Sequence, residues 1–174
     1  MDQNEIRILE QLDAMLQEPE IAGRIESIAQ RVHDRFLESS EPLAWESIPL
    51  EIYQGRLPEF IRSSWIFILR EGEASGAERH PNSHQRVMAW RGSGDLQIRQ
   101  STDWESHVLT DDFKLDPGKR WATIPVNVWH QAVVGPGRHW IVVSFHTATE
   151  KELIEERPDD PDAERFKQRV YREC

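Results

Sequence analysis

The stretch from Gly72 to Gly92 gathers four side chains with ligand or proton-transfer chemistry: Glu78, His80, His84 and Gln85. A carboxylate offers a hard anionic oxygen, imidazoles offer nitrogen, and an amide oxygen adds a weak further donor. A later histidine, His130, follows in Pro125-Val126-Asn127-Val128-Trp129-His130. His80 and His84 are four apart, which on a helix would pair them on zinc. Pro81, Asn82 and Ser83 between them oppose a helix, and there is no His-Glu-x-x-His. On an extended segment alternate residues share a face, so Glu78, His80 and His84 could point one way. A one-residue bulge near Pro81 would bring Gln85 round instead, and the sequence leaves both registers open.

These groups need strands to hold them. From Trp45 to about Ala148 the chain is a series of short runs rich in Ile, Val, Trp and Phe, separated by Gly, Pro and Asp clusters. Strands are expected over Ser64–Leu69, Gln85–Arg91, Asp95–Arg99, Glu105–Leu109, Arg120–Ile124, His130–Val134 and Trp140–His146. Turn signals recur at Gly92-Ser93-Gly94-Asp95, Asp116-Pro117-Gly118 and Gly135-Pro136-Gly137, and no residues remain for crossover helices. An antiparallel sandwich or barrel is therefore expected rather than βαβ units.

The flanks read differently. Leu9, Leu12, Leu16, Ile21, Ile25, Ile28, Val32 and Phe36 recur at spacings of three and four, predicting two amphipathic helices split near Pro19. Asp159-Asp160-Pro161-Asp162 reads as a capped helix start leading to Phe166 and Val170 on one face. The expected organisation is a helical extension over 1–40, a barrel over 45–148 and a helical tail over 149–174, with both helical parts packed outside. Strand Gln85–Arg91 is apolar on both faces, so its outer face needs cover from the terminal helices or a second subunit, and a homodimer is expected.

A chain of 174 residues suits one domain of ordinary size. Its formal charge of −10 opposes nucleic-acid binding. The single cysteine, Cys174, gives no disulfide framework and fits a reducing compartment. With no apolar run of membrane-spanning length and a polar start at Asp2-Gln3-Asn4-Glu5, a cytoplasmic protein without membrane contact is expected.

The spacing around the ligand candidates resembles the cupin superfamily. Its first motif runs glycine, five residues, His-x-His, three or four residues, Glu, six residues, Gly. Here the order is Gly72, five residues, Glu78-Arg79-His80, four residues, Gln85, six residues, Gly92. The second motif, Pro-x-Gly-x-x-His, is matched by Pro125 to His130 with Asn127 in place of glycine, and Asn is the usual substitute where a turn wants positive φ. The resemblance covers residues 45 to 148. It implies a mainly β fold, the double-stranded β-helix or jelly-roll barrel, enclosing one divalent metal ion.

Carried over by position, the resemblance makes Glu78, His80, Gln85 and His130 the metal ligands. Glu78 stands where histidine is usual, and Gln85 where glutamate is usual, as in some cupins that process sugar acids or cleave small sulfonium compounds. Two histidines and one carboxylate favour Fe(II), and also suit Mn(II), Ni(II) or Zn(II). His84, whose ordinary pKa lies near neutrality, is the candidate general acid or base. It also fits a four-histidine cupin pattern as a ligand. His107, His139 and His146 have no motif support and read as structural. The implied function is a metal-dependent enzyme acting on a small polar chelating molecule, oxygenase ahead of isomerase or lyase. The alternative is a metal-free cupin that binds, senses or assembles.

Overall fold

The computed structural model describes residues 2–158 and 166–170. Helix α1 (Gln3–Leu16) begins where the Asp2 side chain accepts the Glu5 N–H at 2.8 Å. Helix α2 (Pro19–Leu37) begins with its proline in the first turn, where no N–H is needed. The leucine, isoleucine, valine and phenylalanine stripe read from the sequence is buried along both helices.

Among the described residues ten strands follow: β1 (Leu43–Ser47), β2 (Ser63–Leu69), β3 (Gln85–Arg91), β4 (Ser93–Gln100), β5 (Asp103–Thr110), β6 (Trp121–Ile124), β7 (His130–Val133), β8 (Trp140–His146), β9 (Ile154–Pro158) and β10 (Phe166–Val170). A five-stranded sheet has the order β1-β2-β8-β3-β6, and a three-stranded sheet the order β5-β4-β7, all antiparallel. β3 and β8 occupy the bounds expected from the sequence, while β4 and β5 run longer at their ends.

Alternation along β2, β3 and β8 divides the core in two. Ile66, Ile68, Met88, Trp90, Val143 and Phe145 pack with the helix stripes, whereas Trp65, Phe67, Leu69, Val87, Ala89 and Val142 pack between the two sheets with Leu96 and Ile98. The outer apolar face of β3, for which a second subunit was one expected cover, is thus covered by α1 and α2 of the same chain.

The expected helical tail is corrected. β9 and β10 pair antiparallel, Phe166 opposite Pro158 and Val170 opposite Ile154. The spacing of four between Phe166 and Val170 suits one face of a helix, but being even it suits one face of a strand equally. The helix start read at Asp159-Asp160-Pro161-Asp162 lies outside the described residues. β9 also bridges Arg79 through mutual backbone bonds to Glu156 of 3.0 Å each, so this tail is joined to the segment that carries the site.

Gly92, between β3 and β4, has φ of +77°, and a Cβ there would sit 2.7 Å from the His139 carbonyl oxygen. That atom is backbone and cannot swing away. Gly92→Ala is therefore expected to cost about 1–3 kcal/mol through strain and clash. Chemical denaturation checks this, and an unchanged midpoint would refute it. Among the described residues no helix is long and apolar enough to cross a membrane.

Candidate metal centre

Glu78 and His130 face each other across an antiparallel bridge in which each backbone N–H donates to the other's carbonyl at 2.8 Å. His80 lies two residues along the same extended segment, on the same face. One ligand atom from each of Glu78, His80 and His130 lies within 4.8 Å of the others. The two motifs, about fifty residues apart in sequence, are therefore joined by backbone hydrogen bonds as well as by the closeness of their side chains.

The main chain sets the imidazoles. His80 Nδ1 is 2.9 Å from the Ile154 carbonyl oxygen, and His130 Nδ1 is 3.2 Å from that of Val128. A carbonyl only accepts, so both Nδ1 atoms carry the proton and Nε2 is left as the ligand atom of each ring. His130 Nε2 is buried without a hydrogen-bond partner and stands 3.4 Å from Glu78 Oε1. Glu78 Oε2 accepts from Arg157, whose guanidinium also bonds Glu155 at 2.7 Å and the Ser75 carbonyl at 2.8 Å. β9 thus supplies both the carbonyl that orients His80 and the cation that orients Glu78. Sequence reasoning missed this, having set the tail outside the barrel.

Burial alone would raise the pKa of Glu78, but the His130 ring and the Arg157 guanidinium, with His80 beyond, outweigh it and hold the carboxyl far below its usual range. Burial and the neighbouring His130 lower His80 to about 4. Near neutral pH the group therefore presents one carboxylate and a His80 ring without its second proton, the forms that bind a cation.

Pro81 and Asn82 form a turn, after which β3 begins at Gln85. The Asn82 side chain holds that turn to the tail, donating to Glu152 O at 2.6 Å and accepting from Ile154 N at 3.1 Å. The turn decides the register left open by the sequence. Gln85 lines the same cavity as Glu78 and His130, and its Oε1 is buried without a hydrogen-bond partner. His84 does not join them. It lines a separate surface cleft with Asp2, Glu5 and Thr123, and burial and then the charge of Arg86 lower its pKa. Neighbouring residues at the start of a strand face opposite ways, and Gln85 takes the inward place.

His146, read as structural, lies beside the centre. It is buried, its ring centroid is 5.1 Å from that of His80, and burial pushes its pKa well down. Its Nδ1 is 3.4 Å from Ser83 Oγ and its Nε2 3.2 Å from Ser144 Oγ. A signal existed: Trp140, Val142, Ser144 and His146 alternate on β8, and His146 pairs with Gln85. His107 lines the outer cleft, and His139 packs edge-on against Phe36, both away from the cluster.

The donors fit a divalent ion. Two imidazoles and a carboxylate converge, and the orphaned Gln85 Oε1 and His130 Nε2 are buried atoms that an ion would satisfy. The second-motif turn is also as the cupin pattern requires, with Asn127 at φ of +66°.

No family model matches the sequence, and no match is found among curated proteins. Solved structures are similar in fold. Pumpkin seed globulin aligns with 68% of this chain and 29% of its own at 14% identity, TM-score 0.52. The coconut allergen cocosin aligns with 66% of this chain and 29% of its own at 13% identity, TM-score 0.50. An oxalate oxidase in complex with the substrate analogue glycolate aligns with 62% of this chain and 52% of its own at 19% identity, TM-score 0.46. The chain thus spans about half the length of that oxidase and under a third of the globulins. These neighbours are cupin-fold proteins, and with both motifs joined across one barrel this chain has the cupin fold.

Proposed function

We propose that the protein is a metal-dependent enzyme acting on a small molecule that chelates the ion, with oxygenase chemistry ahead of isomerase or lyase chemistry. The observation that carries this is the pair of imidazoles locked by main-chain carbonyls into the Nδ1–H form, beside a partly buried carboxylate. That is the outer support that metal-ligating histidines have. Glu78, His80 and His130 would hold the ion, and Gln85 Oε1 is the nearby fourth donor.

Two histidines and one carboxylate favour Fe(II), then Mn(II), Ni(II) or Zn(II). The bound ion would supply Lewis acidity or a position for dioxygen. The protein supplies the rest. Arg157 fixes one oxygen of Glu78, the carbonyls fix both rings, and apolar side chains make up most of the remaining cavity wall. His84, on its outer cleft, is not placed to move a proton in the cavity.

A second reading, a metal-free binding protein, is favoured by one observation. Glu78 is already bonded to Arg157, so its charge is answered without an ion. Elemental analysis of protein purified without a chelating tag separates the two. Near-stoichiometric metal is expected. Metal-free protein that cannot be loaded with Fe(II), Mn(II), Ni(II) or Zn(II) would leave the second reading standing.

A further inference from the structure

We infer that residues 152–158 form a strap whose docking is coupled to the ion, so that metal uptake fastens it and metal loss loosens it. This rests on the metal-centre reading above and concerns the regulation of that same site.

Two of the ligands have one end for the ion and the other for the strap. Glu78 turns Oε1 towards His130 Nε2, 3.4 Å away, and Oε2 to Arg157 of the strap. His80 places Nδ1 on the strap's Ile154 carbonyl at 2.9 Å, leaving Nε2 for the ion. Ion and strap therefore share two side chains without competing for an atom. Each favours the other. A cation on Nε2 draws electron density from the ring and makes its Nδ1–H a better donor to Ile154, as hydrogen bonds from charged donors are the stronger ones. Arg157 and the ion are both cations and repel, but across a carboxylate that bonds both, which is how the outer-shell partner of a ligating carboxylate stands. His130 is the contrast, since its Nδ1 faces the Val128 carbonyl rather than the strap.

The rest of the strap's fastening leads to the same place. Arg79 and Glu156 exchange two backbone bonds of 3.0 Å and make an ion pair at 2.6 Å. Asn82 bonds the Glu152 carbonyl and the Ile154 N–H, and Arg157 bonds the Ser75 carbonyl. These partners all lie within 75–82, the segment that carries Glu78 and His80. Leu153 is the strap's one buried apolar side chain, and the other two buried side chains are Glu155 and Glu156, 1% and 4% exposed. A segment fastened by polar bonds with little apolar burial opens at lower free energy than the core. Linkage then fixes the size of the effect: the factor by which docking raises metal affinity is the factor by which metal favours docking.

Amide hydrogen exchange of the full chain with and without Zn(II), read by NMR, tests the inference. The Ile154 N–H, donated to Asn82 Oδ1, and the Glu156 N–H, donated to the Arg79 carbonyl, report the strap. Zinc is expected to slow both by about 10–100-fold, the range for losing an outer-shell partner. The Leu115 N–H, bonded to Asp112 in a turn outside strap and ligand segment, should not change. In His130→Ala, which keeps the strap contacts named above but lacks one ligand, the slowing should vanish. Glu156→Pro removes the N–H and the carboxylate that bond Arg79 and alters no ligand, so it should free the Ile154 amide and weaken zinc binding by the same factor. Stoichiometric zinc with strap amides unchanged or faster, slowing that persists in His130→Ala, or undiminished zinc affinity in Glu156→Pro with its Ile154 amide freed, overturns the coupling and leaves the metal centre standing. If the proline variant fails to fold, exchange in the wild type and in His130→Ala decides. Protein that takes up no zinc overturns both.

Discussion

Replacing His130 with alanine is expected to lower divalent-ion affinity by more than about 100-fold while the protein stays folded. Losing an outer-shell partner alone costs about 10–100-fold, and here a ligand itself is lost. The fold should survive because His130 holds Glu78 through its backbone, with both bonds at 2.8 Å, and alanine keeps them. Gln85→Ala should cost less, since an amide oxygen is the weakest donor of the set. His84→Ala should cost nothing, because that ring faces the outer cleft with Asp2 and Glu5. Competition against a chromophoric chelator, with circular dichroism as the check on folding, reads all three. Undiminished affinity in folded His130→Ala would sink the assignment of the centre. A loss at His84 larger than at Gln85 would mean that the register of the ligand segment is wrong.

The fold was legible where one local period dominated. The helix stripes and strands β3 and β8 could be read from spacing, because their faces are uniformly apolar or alternate cleanly. The ligand segment was legible in composition but not in direction. Whether Gln85 or His84 points inward depends on the Pro81-Asn82 turn, and that turn is held by Asn82 bonds to Glu152 and Ile154, some seventy residues away. Such a contact leaves no local signal. The same applies to Arg157, which no local motif marks out and which reaches the site only because β9 is bridged to Arg79. Spacing also failed in the tail, because an even interval serves helix and strand alike. His146 was missed for another reason: its place follows from period-two alternation on β8, but without a motif nothing weighted it above other core histidines.

Asp13→Ala is expected to destabilise the protein by about 3–5 kcal/mol, the cost of removing one partner from a buried ion pair. Asp13 sits four residues after Leu9, on the apolar stripe of α1 rather than its solvent face, and is 4% exposed. It accepts from Arg120 Nη2 at 2.5 Å, Trp121 Nε1 at 2.9 Å and Gln17 Nε2 at 2.6 Å. Arg120, 2% exposed, has one further bond, from Nε to the Leu115 carbonyl at 2.9 Å, and its Nη1 has no hydrogen-bond partner. Alanine would therefore strand a cation in the core and leave the indole N–H of Trp121 without its acceptor. The burden falls on the pair rather than on the acid alone, so Asp13→Leu combined with Arg120→Met should recover much of the loss, because no charge is then left unpaired. Denaturant unfolding of the two single variants and the double variant measures this coupling. Through Trp121, Asp13 joins α1 to β6, the strand that borders β3, and Arg86 on β3 forks onto Glu5 of the same helix at 2.7 and 2.8 Å. Helix α1 is thereby tied to the strand that carries Gln85, so the helical extension and the barrel should unfold in a single transition. A double variant no more stable than Asp13→Ala, or an early separate loss of helix signal in the wild type, would contradict this account.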